Sequence, residues 1–247
     1  MNISKILSSV LILLSVLFLG LQYLGQQLEA FGVKALGMSL LVVLYCIGVK
    51  KKHMLFILFL VSYSAAEVHN YITYDIIPPA GAVYDPHYLI GNAFYILAYV
   101  FLISRIFSIM NFKKAVSRFP FQTVLLFILG FFVVYMITDL SETRLFLNYT
   151  HSVELIYNSV IMFLMCLALI NCMYNDTKKS MNILVGSICI VFSEVTQIAY
   201  FYISDLDNAL NVTYSFFLVG AFVFFYIQSK LKAEYNPLYE RHQELKI

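Results

Sequence analysis

The 247-residue chain is 61% apolar and only 12% charged, with a formal net charge of +2. Soluble domains hold roughly 45–50% apolar and 25% charged residues, so a water-exposed fold is excluded, and disorder or a disulfide scaffold fails on the same arithmetic. A charge so small and so dispersed also excludes a nucleic-acid partner. A polytopic, all-α membrane protein remains.

Eight segments reach the length of about 20 apolar residues that crosses roughly 30 Å of hydrocarbon as helix. In chain order they cover 5–23, 31–49, 54–71, 88–110, 121–139, 152–174, 181–203 and 210–227. The ~10-residue alternating segments of a β-barrel are missing from the pattern. Connections are short, so successive helices should be antiparallel. One transmembrane domain is expected over 1–229, followed by a short polar tail over 230–247.

Fourteen of the 16 basic residues fall on one side of this eight-span arrangement, leaving Lys34 and Arg144 near the other. The positive-inside rule then places both termini in the cytoplasm. Asp75, Asp85, Asp139, Asp205 and Asp207 fall outside. With no Trp in the chain, Tyr residues near span ends serve as interfacial anchors. The four cysteines lie within spans and lack metal-ligand spacing, so they read as packing residues. Asn148-Tyr-Thr and Asn211-Val-Thr match the glycosylation pattern, which is short enough to arise by chance.

Glu67 and Glu194 stand out. Each lies 13 residues past the start of its span, Met54 or Met181, so both acids sit about 20 Å from the inner face. A charge at mid-span costs at least ~2.5–3.5 kcal/mol, which makes an intramembrane acid a functional hypothesis. Tyr63, Ser64, Glu67, Asn70, Tyr71 and Tyr74 form a polar stripe at helical spacing. Asn92, Tyr95, Tyr99, Glu154, Tyr157, Asn158, Gln197, Asn211, Thr213 and Tyr214 come to a similar level from other spans, and Lys34 enters at the outer end of the second. The inner half is mostly apolar. A polar cavity opening outward is expected. The plainer alternative is that these groups hydrogen-bond helices together, at about 0.6 kcal/mol per contact.

Several chemistries are absent from the sequence. There is no HExxH and no GxSxG. A retinal protein needs a lysine within its last helix, whereas Lys230 and Lys232 lie beyond it. No metal or other cofactor is expected.

At the polar positions the chain resembles the YhhN-like, or lysoplasmalogenase, family of eight-span membrane proteins, from Lys34 to about Phe225. Lys34-Ala35 stands where that family has Lys-Pro, and Ala66-Glu67 where it has Gly-Asp. Gly91, Tyr95 and Tyr99 follow its spacing of Gly, aromatic and His. LIYNSVIMFLMCLA, Ser193-Glu194 and Thr213-Tyr214 match its sixth, seventh and eighth spans. Both family aspartates are therefore glutamates here, and the histidine is Tyr99.

The resemblance implies hydrolysis of the vinyl ether bond of lysoplasmalogens, in a bacterial inner membrane, to a fatty aldehyde and a glycerophospho-headgroup. Cleaving a vinyl ether requires a carboxylic acid to protonate the alkene carbon and a second carboxylate to stabilise the resulting cation. Glu67 and Glu194 are the expected catalytic pair, with their division of labour open. Lys34, Asn70, Asn92, Tyr95, Tyr99, Asn158, Gln197 and Tyr214 are the expected substrate contacts. A lysophospholipid or other lipid is the expected partner, with membrane lipids around it; oligomeric state is open. Two other readings use the same acids: a proton-coupled transporter, and a lipid-binding protein without catalysis.

Overall fold

A computed structural model describes residues 3–76, 85–142, 148–203 and 208–231. The expected tail from 232 onward, Arg144 and the Asp205–Asp207 turn fall outside these residues. Within them the chain is helical: α1 (Ile3–Tyr23), α2 (Gln27–Gly48), α3 (Met54–Ile72), α4 (Pro86–Ile109), α5 (Phe112–Arg118), α6 (Pro120–Glu142), α7 (Asn148–Asn175), α8 (Lys178–Ile198) and α9 (Asn208–Lys230). A π-helical turn, Ala199–Ile203, extends α8. Eight of the helices are long and apolar enough to cross a membrane, as expected; α5 is the exception. The chain is a multi-pass integral membrane protein.

The helix ends have local causes. Gly25, at φ +73°, turns the chain between α1 and α2 in a conformation that costs a residue with a Cβ. Asp85 caps α4 by accepting from the His87 and Tyr88 N–H groups, and Pro86 opens the helix where its missing N–H costs nothing. Asp176, at φ 44°, separates α7 from α8, and Thr177 and Ser180 form a capping box at the start of α8. Asn111 caps α5, a short helix in the connection between the fourth and fifth spans, by accepting from Lys114 N–H.

Seven helices close a ring in the order α1, α2, α3, α4, α7, α8, α9 and back to α1. The fifth span, α6, packs against α7 from outside. This explains its many exposed apolar side chains, among them Phe121, Ile128, Phe131 and Phe132. Without water around them these faces need no protein cover. At one end Gly48 approaches Ser4 and Tyr226, and at the other Gly25 approaches Asn208, as alternating spans require.

The ring interior is divided by depth. Phe59, Phe222, Phe225 and Tyr63 fill its middle, with Tyr63 and Phe222 edge to face at 4.7 Å and Phe59 and Phe222 stacked at 5.9 Å. Above this aromatic plug, toward the α1–α2 turn, the ring opens into a polar cavity. Below it, the opposite end of the ring buries a few polar side chains among its apolar ones. Arg105, Asn171 and Gln228 are all buried there. Asn211 is also buried, within α9, and donates to Gln22. Its Asn-Val-Thr sequence is therefore a helix-packing feature and no site for a glycan.

Candidate active site

The cavity encloses about 470 Å³ and takes its walls from α2, α3, α4, α7, α8 and α9. Asp85, Glu154 and Glu194 supply its carboxylates, and Glu67 is not among its lining residues. Glu67, at 0% exposure, is held by Lys34, whose Nζ lies 2.8 Å from Oε2. The same ammonium donates to the Tyr214 hydroxyl at 3.0 Å and lies 5.1 Å from the centre of the Phe31 ring. Three helices thus meet at one lysine. Its charge is balanced by Glu67, and its side chain also forms part of the cavity wall.

Glu194 faces the cavity directly, with no lysine in hydrogen-bond contact. Its Oε1 accepts from Tyr157 at 2.8 Å and from Tyr99 at 3.3 Å. Tyr99 is fully buried and is not among the lining residues, and it meets the site through its hydroxyl on Glu194. The rings of Tyr63, Tyr95, Tyr99 and Tyr157 pack edge to face with centroids 5.0–6.4 Å apart. Such packing fixes the hydroxyls in place without mobile side chains.

The remaining expected contacts divide. Asn70 donates to the Tyr95 hydroxyl at 2.9 Å, and both line the cavity. Their helices come close because Gly91 leaves room: a Cβ there would stand 2.8 Å from Asn70 Oδ1. Gln197 lines the cavity, as does Asn92, which donates to the Tyr88 carbonyl on its own helix. Asn158 lies elsewhere. It is buried between α6 and α7, donates to Thr138 at 3.4 Å, and takes no part in the cavity.

Residues outside the expected contact set also form the wall. Glu154 accepts from the Tyr88 hydroxyl at 2.7 Å, and Tyr157 reaches Glu194. Glu154 and Tyr157 are three residues apart, on one helical face, and that spacing was the available signal. His69 contacts the His87 carbonyl at 3.2 Å, away from both acids, as its offset of two residues from Glu67 predicts. Among the described residues no cluster of three His, Cys, Asp or Glu side chains is arranged to hold a metal.

A second recess, apolar and about 260 Å³, runs between α1, α2 and α9. Leu11, Ile12, Gly37, Leu41, Leu218 and Val223 contribute to it, and Ile12 and Val223 are exposed on the outer surface of the bundle. Lys34 belongs to the walls of both spaces.

Fold and site together define a multi-pass helical membrane protein with a polar, acid-lined cavity between its helices. Compared with family models, curated proteins and solved structures, the chain finds no match.

Proposed function

We propose that the chain is a YhhN-like hydrolase of a bacterial inner membrane, with both termini cytoplasmic, that cleaves the vinyl ether bond of lysoplasmalogens. The observation that carries this reading is the unequal pair of acids: Glu67 neutralised by Lys34, and Glu194 open to the cavity under two phenols. Glu194 is the proton donor. Its proton forms a C–H bond at the alkene carbon remote from the ether oxygen, leaving an oxocarbenium ion at the carbon bonded to that oxygen. Water adds to that cation and returns a proton to the Glu194 carboxylate, and the hemiacetal collapses to a fatty aldehyde and the glycerophospho-alcohol. Glu67 acts from behind the wall, fixing Lys34 and Tyr214 at the cavity face.

The apolar recess supports a single-chain lipid as substrate. From Lys34 to Leu44 the α2 wall rises about 15 Å, room for about a dozen extended methylenes. A chain lying there would bring its polar end to Lys34. The test is incubation of the purified protein with a 1-alkenyl lysophospholipid, scoring aldehyde release. Release by wild type and none by Glu194→Gln is expected. No aldehyde from folded wild type would refute the hydrolase reading, and full activity in the variant would remove Glu194 from it.

A further inference from the structure

At the inner end of the bundle, on the far side of the aromatic plug from the cavity, Arg105 of α4 is only 4% exposed. Its Nε and Nη1 are buried without a hydrogen-bond partner, and among the described residues no carboxylate pairs with it. The Phe56 ring, 5.5 Å from the guanidinium carbon, covers one face and leaves the in-plane N–H groups unspent. Burying an unpaired guanidinium costs several kcal/mol, which a cation–π contact of about 2 kcal/mol does not offset.

The neighbours add positive charge. Ser108 donates to the Arg105 carbonyl at 2.7 Å and lies 3.4 Å from His53 Nε2. His53 precedes α3, its backbone N–H donates to the Tyr45 hydroxyl, and its Nδ1 is buried without a partner. Lys179, in the first turn of α8, lies within electrostatic reach of both Arg105 and His53. The N-termini of α3 and α8 contribute their positive dipole ends to the same region. Asp176, the acid nearest Lys179 in sequence, is exposed to solvent. Burial and these two cations hold the His53 imidazole below its usual range. Ser108 is exposed and His53 and Lys179 are partly so, which leaves the group approachable from the aqueous face.

We propose that Arg105, His53 and Lys179 form an anion site at the inner face that takes a phosphate group, separate from the acid-lined cavity and independent of its chemistry. Arg105 supplies charge-assisted hydrogen bonds to the phosphate oxygens, Lys179 adds a second positive charge on the outer side, and the His53 ring offers an N–H donor. The phosphate can come from a lipid headgroup of the inner leaflet or from a free anion in the water.

Thermal unfolding of the full-length protein separates these sources. One arm titrates inorganic phosphate against chloride at constant ionic strength in a neutral detergent. The other compares phosphatidylcholine vesicles with vesicles also holding phosphatidylglycerol. Stabilisation of wild type in either arm is expected, and the arm that responds identifies the source. Arg105→Gln should weaken the half-saturating concentration about 10- to 100-fold. Lys179→Gln, at a partly exposed position, should weaken it less and gives the answer if Arg105→Gln does not fold. Absence of stabilisation in both arms, or equal titrations in wild type and the variants, would overturn the proposal.

Discussion

Removing Lys34 tests the site without any assumption about substrate. Its ammonium lies 2.8 Å from Glu67 Oε2, with side-chain exposures of 6% and 0%. At that separation the attraction is about 6 kcal/mol at an effective dielectric of about 20, most of it offset by desolvating both groups. Lys34→Met leaves the loss of solvation and removes the attraction, so a cost of about 3–5 kcal/mol is expected. Glu67→Gln, which removes the carboxylate in contact with the ammonium and leaves it beside Tyr214 and Phe31, should cost a similar amount. The double variant should lie within about 2 kcal/mol of wild type, because two neutral side chains replace two charges. Unfolding by SDS in mixed micelles gives the three differences and the coupling energy. Costs that add to within about 0.5 kcal/mol would show that the two charges do not depend on each other, and the account of the site would fail.

Tyr157→Phe should lower turnover about tenfold and more than Tyr99→Phe, since their hydroxyls stand 2.8 Å and 3.3 Å from Glu194 Oε1; equal or absent effects in steady-state assays would contradict the geometry. Gly186→Ala places a Cβ 2.6 Å from the fully buried Phe225 ring and should cost about 1–3 kcal/mol. Gly20→Ala, with nothing within 4 Å, should be neutral or stabilising by up to about 1 kcal/mol; thermal unfolding of the pair would refute the packing if the order reversed. A single cysteine at Asp205, in a background lacking the native four, should react with an impermeant maleimide from outside the cell, and reaction only after lysis would reverse the proposed orientation.

Composition and periodicity were enough to settle the class of this protein. Eight spans of the right length follow from a requirement that admits few exceptions: in hydrocarbon the backbone must bond to itself. Equal depth of Glu67 and Glu194 follows from counting residues along two helices that start at the same face. Tertiary structure decided which polar groups meet. Asn158 and Tyr157 lie at nearly one depth on adjacent positions of α7, yet the 100° between them sends one to Thr138 and the other to Glu194. Exclusion of α6 from the ring could not be read from hydropathy, because lipid and protein interior are equally apolar and the same sequence suits either. Arg105 shows the limit most plainly. A basic residue near a span end counts as an inner-face charge in any topology, and only the tertiary packing reveals that this one is buried with no counter-charge among the described residues.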